Sequence, residues 1–396
     1  MPSESHSESH SLVGICLLAT LCIAANACTG GDGNTAASRP QAKDPATTAP
    51  RTATPQRTPF PGPKPLAPAA AKPPPILSKP LPPMLVDSGK VYALLDPGEP
   101  TASISRFASM ASVDGLVYRA VWSKLESTPG SFDWSTLDTA ADITRAAGKR
   151  LTVHIFADLP GWLPGLGAQT YSYTSPIRSG TAAVPWDSTY LRRHGDFMTA
   201  LAAHVLLRGD ADVLSVVSVG APVSEMTLVG CQNGMLGNTI AYDRSKYLGA
   251  WETSVASHRY AFSNGAFSLV TLVVSAPVSE ICRPDGDGTA FYAELMNRIQ
   301  PIAPGTGMFF ADLNALGSAR LAQVSAGTLS QSKLYFQTIW SYTDDPTNRF
   351  KGPLRDGICH GWRAGSRYFE IYKPDLLNTD PAVVSAIAAA RTGAGC

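Results

Sequence analysis

Two glutamates stand where acid–base work could be done. Glu225 closes the segment Val219-Gly-Ala-Pro-Val-Ser-Glu-Met226, directly past an apolar run, and Glu370 stands at the centre of Tyr368-Phe-Glu-Ile-Tyr372. A third, Glu280, ends Pro277-Val-Ser-Glu280, while Asp344 and Asp345 follow a run that carries Gln337. Two carboxyl groups flanking one bond can divide proton donation and charge stabilisation between them, which is the chemistry of glycosidic cleavage. Trp122, Trp162 and Trp340 offer apolar faces for pyranose rings, and Arg119, His154, Glu280 and Gln337 could engage hydroxyls. Each has a plainer role open to it. Glu225 could cap a helix or meet an Arg, and Glu370 could be a buried carboxylate paired with Arg119 across a barrel floor. Any one of the tryptophans could be core, and His154 could be a satisfied buried histidine. Arg119 on a buried run needs an acidic neighbour whatever the activity, to offset its desolvation. Trp134 fits a packing anchor at a helix start, where Asp133 or Ser135 could cap; Trp186 fits a structural role.

For these side chains to meet, the elements carrying them must share an end. Eight β-like runs are expected, at Lys90–Leu95, Gly115–Val121, Arg150–Phe156, Val213–Val219, Ser268–Ser275, Gly307–Ala311, Lys333–Ile339 and Arg367–Tyr372. Helical spacing is expected at Thr136–Lys149, Tyr190–Leu206, Tyr247–Ser263, Ala290–Ile299, Ala319–Ala326 and Pro381–Ala390. Nearly continuous Val, Ile, Leu and Phe in the runs suits a parallel sheet covered on both faces. Eight strand–helix units predict an α/β fold, a single (β/α)8 TIM barrel, with the residues just past each strand on one face. That rim would gather Asp96, Arg119, Trp122, His154, Asp158, Trp162, Glu225, Glu280, Asp312, Asn314, Gln337, Trp340, Glu370 and Asp375.

One block also carries a resemblance. Leu116-Val-Tyr-Arg-Ala-Val-Trp-Ser-Lys-Leu-Glu126 leads into Pro129-Gly-Ser-Phe-Asp-Trp134, and Leu151-Thr-Val-His-Ile-Phe156 leads into Pro160-Gly-Trp-Leu-Pro164. The order resembles the start of clan A glycoside hydrolases, the retaining barrels that include family 5 cellulases and family 42 β-galactosidases. The resemblance implies a general acid/base at the end of the fourth strand, matched by Glu225, although Ser224 precedes it where Asn is usual. It implies an Arg on strand two, matched by Arg119. It also implies a nucleophilic Glu at the end of strand seven, where this chain has Gln337. An amide cannot form a glycosyl ester, so Glu370 is the first substitute expected, with Glu280, Asp344 and Asp345 behind it.

Composition narrows the field. A net charge of +1 with 16% charged residues lacks the basic footprint of a nucleic-acid binder. There is no phosphate-binding Gly-rich loop, no esterase elbow and no His/Asp spacing for a metal, so neither metal nor cofactor is expected. Leu12–Ala25 is an apolar run of signal-peptide length. Ala25-Asn-Ala-Cys28 with Thr-Gly-Gly-Asp after it resembles a bacterial lipoprotein cleavage site, which implies lipidation at Cys28 and a membrane anchor. Ordinary secretion is the alternative. The expected organisation is a signal peptide at 1–27, a Pro/Ala/Thr-rich disordered linker at 28–84 and the barrel at 85–396. Of seven cysteines, Cys231, Cys282, Cys359 and Cys396 fall in the barrel, with pairs Cys231–Cys282 and Cys359–Cys396 expected in an oxidising compartment. The whole describes an exported monomer acting on a poly- or oligosaccharide. Its rival is a non-catalytic carbohydrate-binding or surface lipoprotein on the same fold, which Gln337 favours.

Overall fold

The computed structural model describes residues 89–174, 179–222, 231–232, 234–275, 288–318, 321 and 333–396. All of them belong to the compact unit Lys72–Cys396. Eight strands close into a barrel in chain order: β1 (Lys90–Leu94), β2 (Gly115–Val121), β3 (Arg150–Phe156), β4 (Leu214–Val219), β5 (Thr271–Ser275), β6 (Gly307–Leu313), β7 (Leu334–Thr338) and β8 (Tyr368–Tyr372). Every neighbouring pair is parallel, including β8 with β1, which closes the ring. Outside lie α1 (Thr101–Ser109), α2 (Ser135–Ala146), α3 (Ser188–Arg208), α4 (Arg244–Ala261), α5 (Gly288–Ile299), α6 (Leu354–Arg363) and α7 (Pro381–Thr392). The fold is a (β/α)8 TIM barrel, as the eight apolar runs predict. Among the described residues no helix is long and apolar enough to cross a membrane.

Two helices, α1 and α6, go beyond the sequence expectation. Both begin after a proline, Pro100 and Pro353, that fixes an extended entry. Gly357 and Gly361 weaken α6 by propensity, yet they admit close neighbours. A Cβ on Gly361 would meet the Phe369 ring at 2.5 Å, and one on Gly357 the Phe350 ring at 2.9 Å. Tertiary packing thus overrides the local preference. β5 starts three residues later than expected, because Asn264 accepts from Ala266 N and folds Gly265–Phe267 into a 3-10 turn. The expected helix at 319–326 lies almost wholly outside the described residues.

The core has two compartments. Tyr92, Leu94, Val117, Val216, Val273, Phe309, Tyr335 and Tyr368 fill the barrel interior, and a larger cluster seals the strands to the helices. Glycine begins β2 and β6 because interior rings cross there. A Cβ on Gly115 would lie 2.3 Å from the Tyr92 ring, and one on Gly307 2.4 Å from the Tyr335 ring. At the C-terminal end, Cys359 of α6 is bonded to Cys396 with a Cα–Cα distance of 4.9 Å, the pairing expected from the sequence. Cys282 lies outside the described residues, and so does the pairing expected for it with Cys231.

The Glu126 block proves architectural. Glu126 is buried and accepts from the Trp122 indole Nε1 at 2.7 Å and from Gly130 N at 2.7 Å, and Arg193 of α3 lies 3.4 Å away. One carboxylate therefore ties the loop after β2 to the helix before β4. Asp133 accepts from Ser135 N and starts α2, as its position suggests.

Candidate active site

Strand alternation sends every second side chain inward, and inside the barrel this brings Glu370, Gln337 and His154 together. Glu370 is fully buried on β8 and stands opposite Gln337 of β7 in the strand register. Tyr368, two residues earlier on the same face, donates its hydroxyl to Glu370 Oε1 at 2.7 Å and is joined to Thr152 Oγ1 at 2.8 Å. His154 Nε2 stands 3.2 Å from the same Oε1, within ion-pair reach but not directed as a hydrogen bond. Burial, reinforced by the Glu370 charge, holds the Tyr368 phenol well above its ordinary range, so it serves as a donor at neutral pH. Gln337 Nε2 donates to Tyr372 OH at 3.3 Å. Glu370 Oε2 and Gln337 Oε1 accept no hydrogen bond from any described residue. Two buried acceptors without donors, on adjacent strands, invite a donor-bearing group.

Other rim positions depart from expectation. Arg119 does not reach Glu370: its guanidinium bonds Asp96 Oδ1 at 2.8 Å and donates from Nε to Leu95 O at 2.6 Å. Asp96 in turn meets Lys373 Nζ at 2.6 Å, as does Glu99. Burial works against the Lys373 charge, but these two carboxylates outweigh it and raise its pKa. The acidic neighbour that Arg119 requires is thus Asp96, one strand away. Trp122 is a correction. Its indole has no exposed surface and packs against Trp162, Tyr190, His194 and Phe197, so no ring can stack on it. Trp162 is half-buried: its Nε1 donates to Glu126 O, its ring meets Trp122 edge-on at 5.9 Å, and Arg193 lies over it at 5.4 Å. These two indoles brace the wall. Trp340 behaves differently. It is 37% exposed past the end of β7, 5.7 Å from the Tyr372 ring, with the Arg349 guanidinium 4.7 Å from its centroid.

Asp375, expected at the mouth, is buried and accepts from Ser341 Oγ, Tyr342 N and Thr343 N, so it shapes the loop that carries Trp340. Asp312 accepts from Ser318 Oγ at 2.6 Å. Glu225 and Glu280 lie outside the described residues, so their distances to Glu370 are not part of the geometry. One sequence signal concerning them went unused. The pentapeptide Ala-Pro-Val-Ser-Glu occurs at 221–225 and at 276–280, each copy starting two residues beyond Val219 and Val274. Those two valines are register partners on β4 and β5.

A cavity of about 660 Å³ lies away from these carboxylates, lined by strand beginnings such as Lys90 and Arg150. That end of a TIM barrel ordinarily serves stability rather than chemistry. Among the described residues no group of three or more His, Cys, Asp or Glu is placed to hold a metal ion.

No protein-family profile matches the chain, and no curated protein matches it in sequence. Among solved structures, the catalytic domain of a beta-amylase from Paenibacillus polymyxa is similar at 12% identity and a TM-score of 0.56, over 77% of this chain and 98% of that one. Xylanase B from Clostridium stercorarium F9 is similar at 13% identity and a TM-score of 0.42, over 72% of this chain and 86% of that one. An intracellular xylanase from Thermoanaerobacterium saccharolyticum gives 14% and 0.44, over 76% and 95%. At such identity the first likeness concerns the fold, and it is the fold the strands already define.

Proposed function

We propose that this barrel is a glycoside hydrolase that cleaves glycosidic bonds in a poly- or oligosaccharide with two carboxylates. The observation that carries the reading is Glu370: an inward, fully buried carboxylate at the centre of β8, held on one oxygen by Tyr368 and without a hydrogen bond on the other. It stands inside a barrel of the kind that assembles chemistry at the C-terminal ends of its strands. Glu225 acts as general acid on the leaving oxygen, and Glu370 stabilises or traps the anomeric centre. Trp340 holds a ring, and Gln337 and His154 stand beside Glu370 inside the barrel. Glu280, in the same pentapeptide as Glu225, is the competing second carboxylate. The resemblance of the Leu116–Pro164 block to clan A enzymes and the fold shared with a beta-amylase catalytic domain support this reading. On the same reading the protein is exported and anchored through a lipid on Cys28, with residues 28–84 as a spacer.

Gln337 favours one rival, a carbohydrate-binding protein without turnover, because the position carries an amide. Aryl glycosides and polysaccharides incubated with wild type, Glu225→Gln, Glu280→Gln and Glu370→Gln separate the two. Hydrolysis by wild type, with Glu225→Gln and one other variant slower by about 10²–10⁴-fold, supports the enzyme. Ligand binding without hydrolysis by any form establishes the binder. Turnover untouched by Glu225→Gln removes that residue from the mechanism.

A further inference from the structure

Between β3 and α3 the chain makes a two-stranded hairpin, Thr170–Thr174 paired with Ser179–Ala183. Its alternation puts Tyr171 and Tyr173 on a buried face and Ser172 and Thr174 outside. The buried face has its own small core, in which Tyr171, Tyr173, Ala182 and Val184 pack with Leu236. The fit is close. The Tyr173 hydroxyl lies 2.9 Å from where a Cβ on Gly180 would stand, and the Ser172 carbonyl 2.1 Å from one on Gly237, which has φ +55. The hairpin is therefore a fixed wall and not a free flap.

Behind it is a cavity of about 210 Å³ bounded by Tyr171, Tyr173 and Thr181 of the hairpin, Asp158 past β3, Ser123 past β2 and Tyr190 of α3. Pro222, past β4 and three residues before Glu225, completes it. It thus opens among the C-terminal ends of β2, β3 and β4, the face on which such barrels carry their sites. The volume is below the roughly 300 Å³ at which sites for drug-sized ligands begin, so it suits one small ring and not a run of several. Its walls combine phenol rings with hydroxyls and one carboxylate, the mixture that recognises a ring with apolar faces and a hydroxylated edge. Burial pushes the Tyr171 phenol up to about 12, leaving it a neutral hydroxyl at working pH.

We infer that this hairpin-walled cavity is a dedicated site for a single neutral pyranose ring, with Asp158 accepting from its hydroxyls and the Tyr171 and Tyr173 rings flanking it. The inference rests on the carbohydrate reading above and adds to it a place and a charge selectivity. A carboxylate facing the ring disfavours a uronic acid at that position by like-charge repulsion.

The test is titration of the full-length protein with methyl glycosides of glucose, galactose, mannose, xylose and glucuronic acid, by saturation-transfer NMR and calorimetry. At least one neutral glycoside is expected to bind at a single site, with the glucuronide at least tenfold weaker. Asp158→Asn should weaken the neutral ligand at least tenfold. Thr181→Trp, a bulky ring added at an exposed hairpin position, should abolish binding; circular dichroism and a thermal melt confirm that both variants are folded. Affinity unchanged in both variants overturns the pocket while leaving carbohydrate recognition at the barrel mouth standing. Polysaccharide turnover without binding of any methyl glycoside overturns it in the same way. Neither turnover nor binding of any saccharide sinks the pocket and the parent reading together.

Discussion

A carboxylate with no exposed surface needs donors to replace the water it has lost. For Glu370 the donor in place is the Tyr368 hydroxyl, with His154 within ion-pair distance. Tyr368→Phe removes that bond and the one to Thr152, and we expect a stability loss of about 1.5–3 kcal/mol in urea unfolding. The tryptophans divide by the same reasoning about surface. Trp122→Ala empties a sealed site and takes the indole donor from Glu126; a loss of about 3–5 kcal/mol is expected. Trp340→Ala, at the rim, should cost no more than about 0.5 kcal/mol while weakening oligosaccharide binding measurably. Unfolding midpoints paired with binding titrations on the two variants check the contrast. An oligosaccharide affinity insensitive to Trp340 would end its assignment as a ring platform.

At the scale of elements, α3 and α4 pack through two buried histidines. His194 and His258 have ring centroids 5.5 Å apart, and His194 also meets the Trp122 ring at 5.2 Å. His258 Nδ1 donates to Ser254 O at 2.7 Å. Burial pushes His258 down to about 4, and burial with the neighbouring His258 drives His194 well below its ordinary value. Both are therefore neutral when folded, whereas the unfolded chain takes up protons below about pH 6.5. Stability is full above that pH and declines as pH falls toward 4, by about 3 kcal/mol from His258 across the window, with His194 adding in the same direction. Urea midpoints measured at pH 7 and pH 5 should show the fall, and His258→Asn should flatten it. The hairpin offers a second element-scale test. Gly237→Ala places a methyl against the Ser172 carbonyl in a left-handed backbone conformation. Loss of the 210 Å³ cavity's ligand, with the barrel still folded, is the expected result.

For the whole molecule, closure of the ring is what gathers residues from 92 to 372 into one interior. The chain end is secured separately, since Cys359 and Cys396 join α6 to the terminus across a separation of 37 residues. Replacing both cysteines by serine frees that loop in the unfolded state and should lower stability by about 2–4 kcal/mol. Unfolding with and without reductant would expose it: wild type should shift toward the double variant on reduction, and the variant itself should not move.

How far the residues themselves foretold this differs between strands and contacts. A parallel strand buried on both faces must be apolar almost throughout, so the positions of β1 to β8 and the inward direction of Glu370 follow from local pattern. The terminal disulfide was legible too: with Cys231 and Cys282 following consecutive strands, Cys359 and Cys396 were the remaining pair of an even set. Which side chains meet is a different matter. Arg119 could have joined Glu370 but found Asp96; Trp122 looked like a mouth residue and lies in the core. The hairpin carrying Tyr171 and Tyr173 alternates clearly in sequence, yet nothing local shows that it closes a cavity against Asp158 and Tyr190. Periodicity reports the face a residue occupies, because that depends on the backbone of its own segment; its partner comes from another segment, and only closing the barrel decides which one arrives.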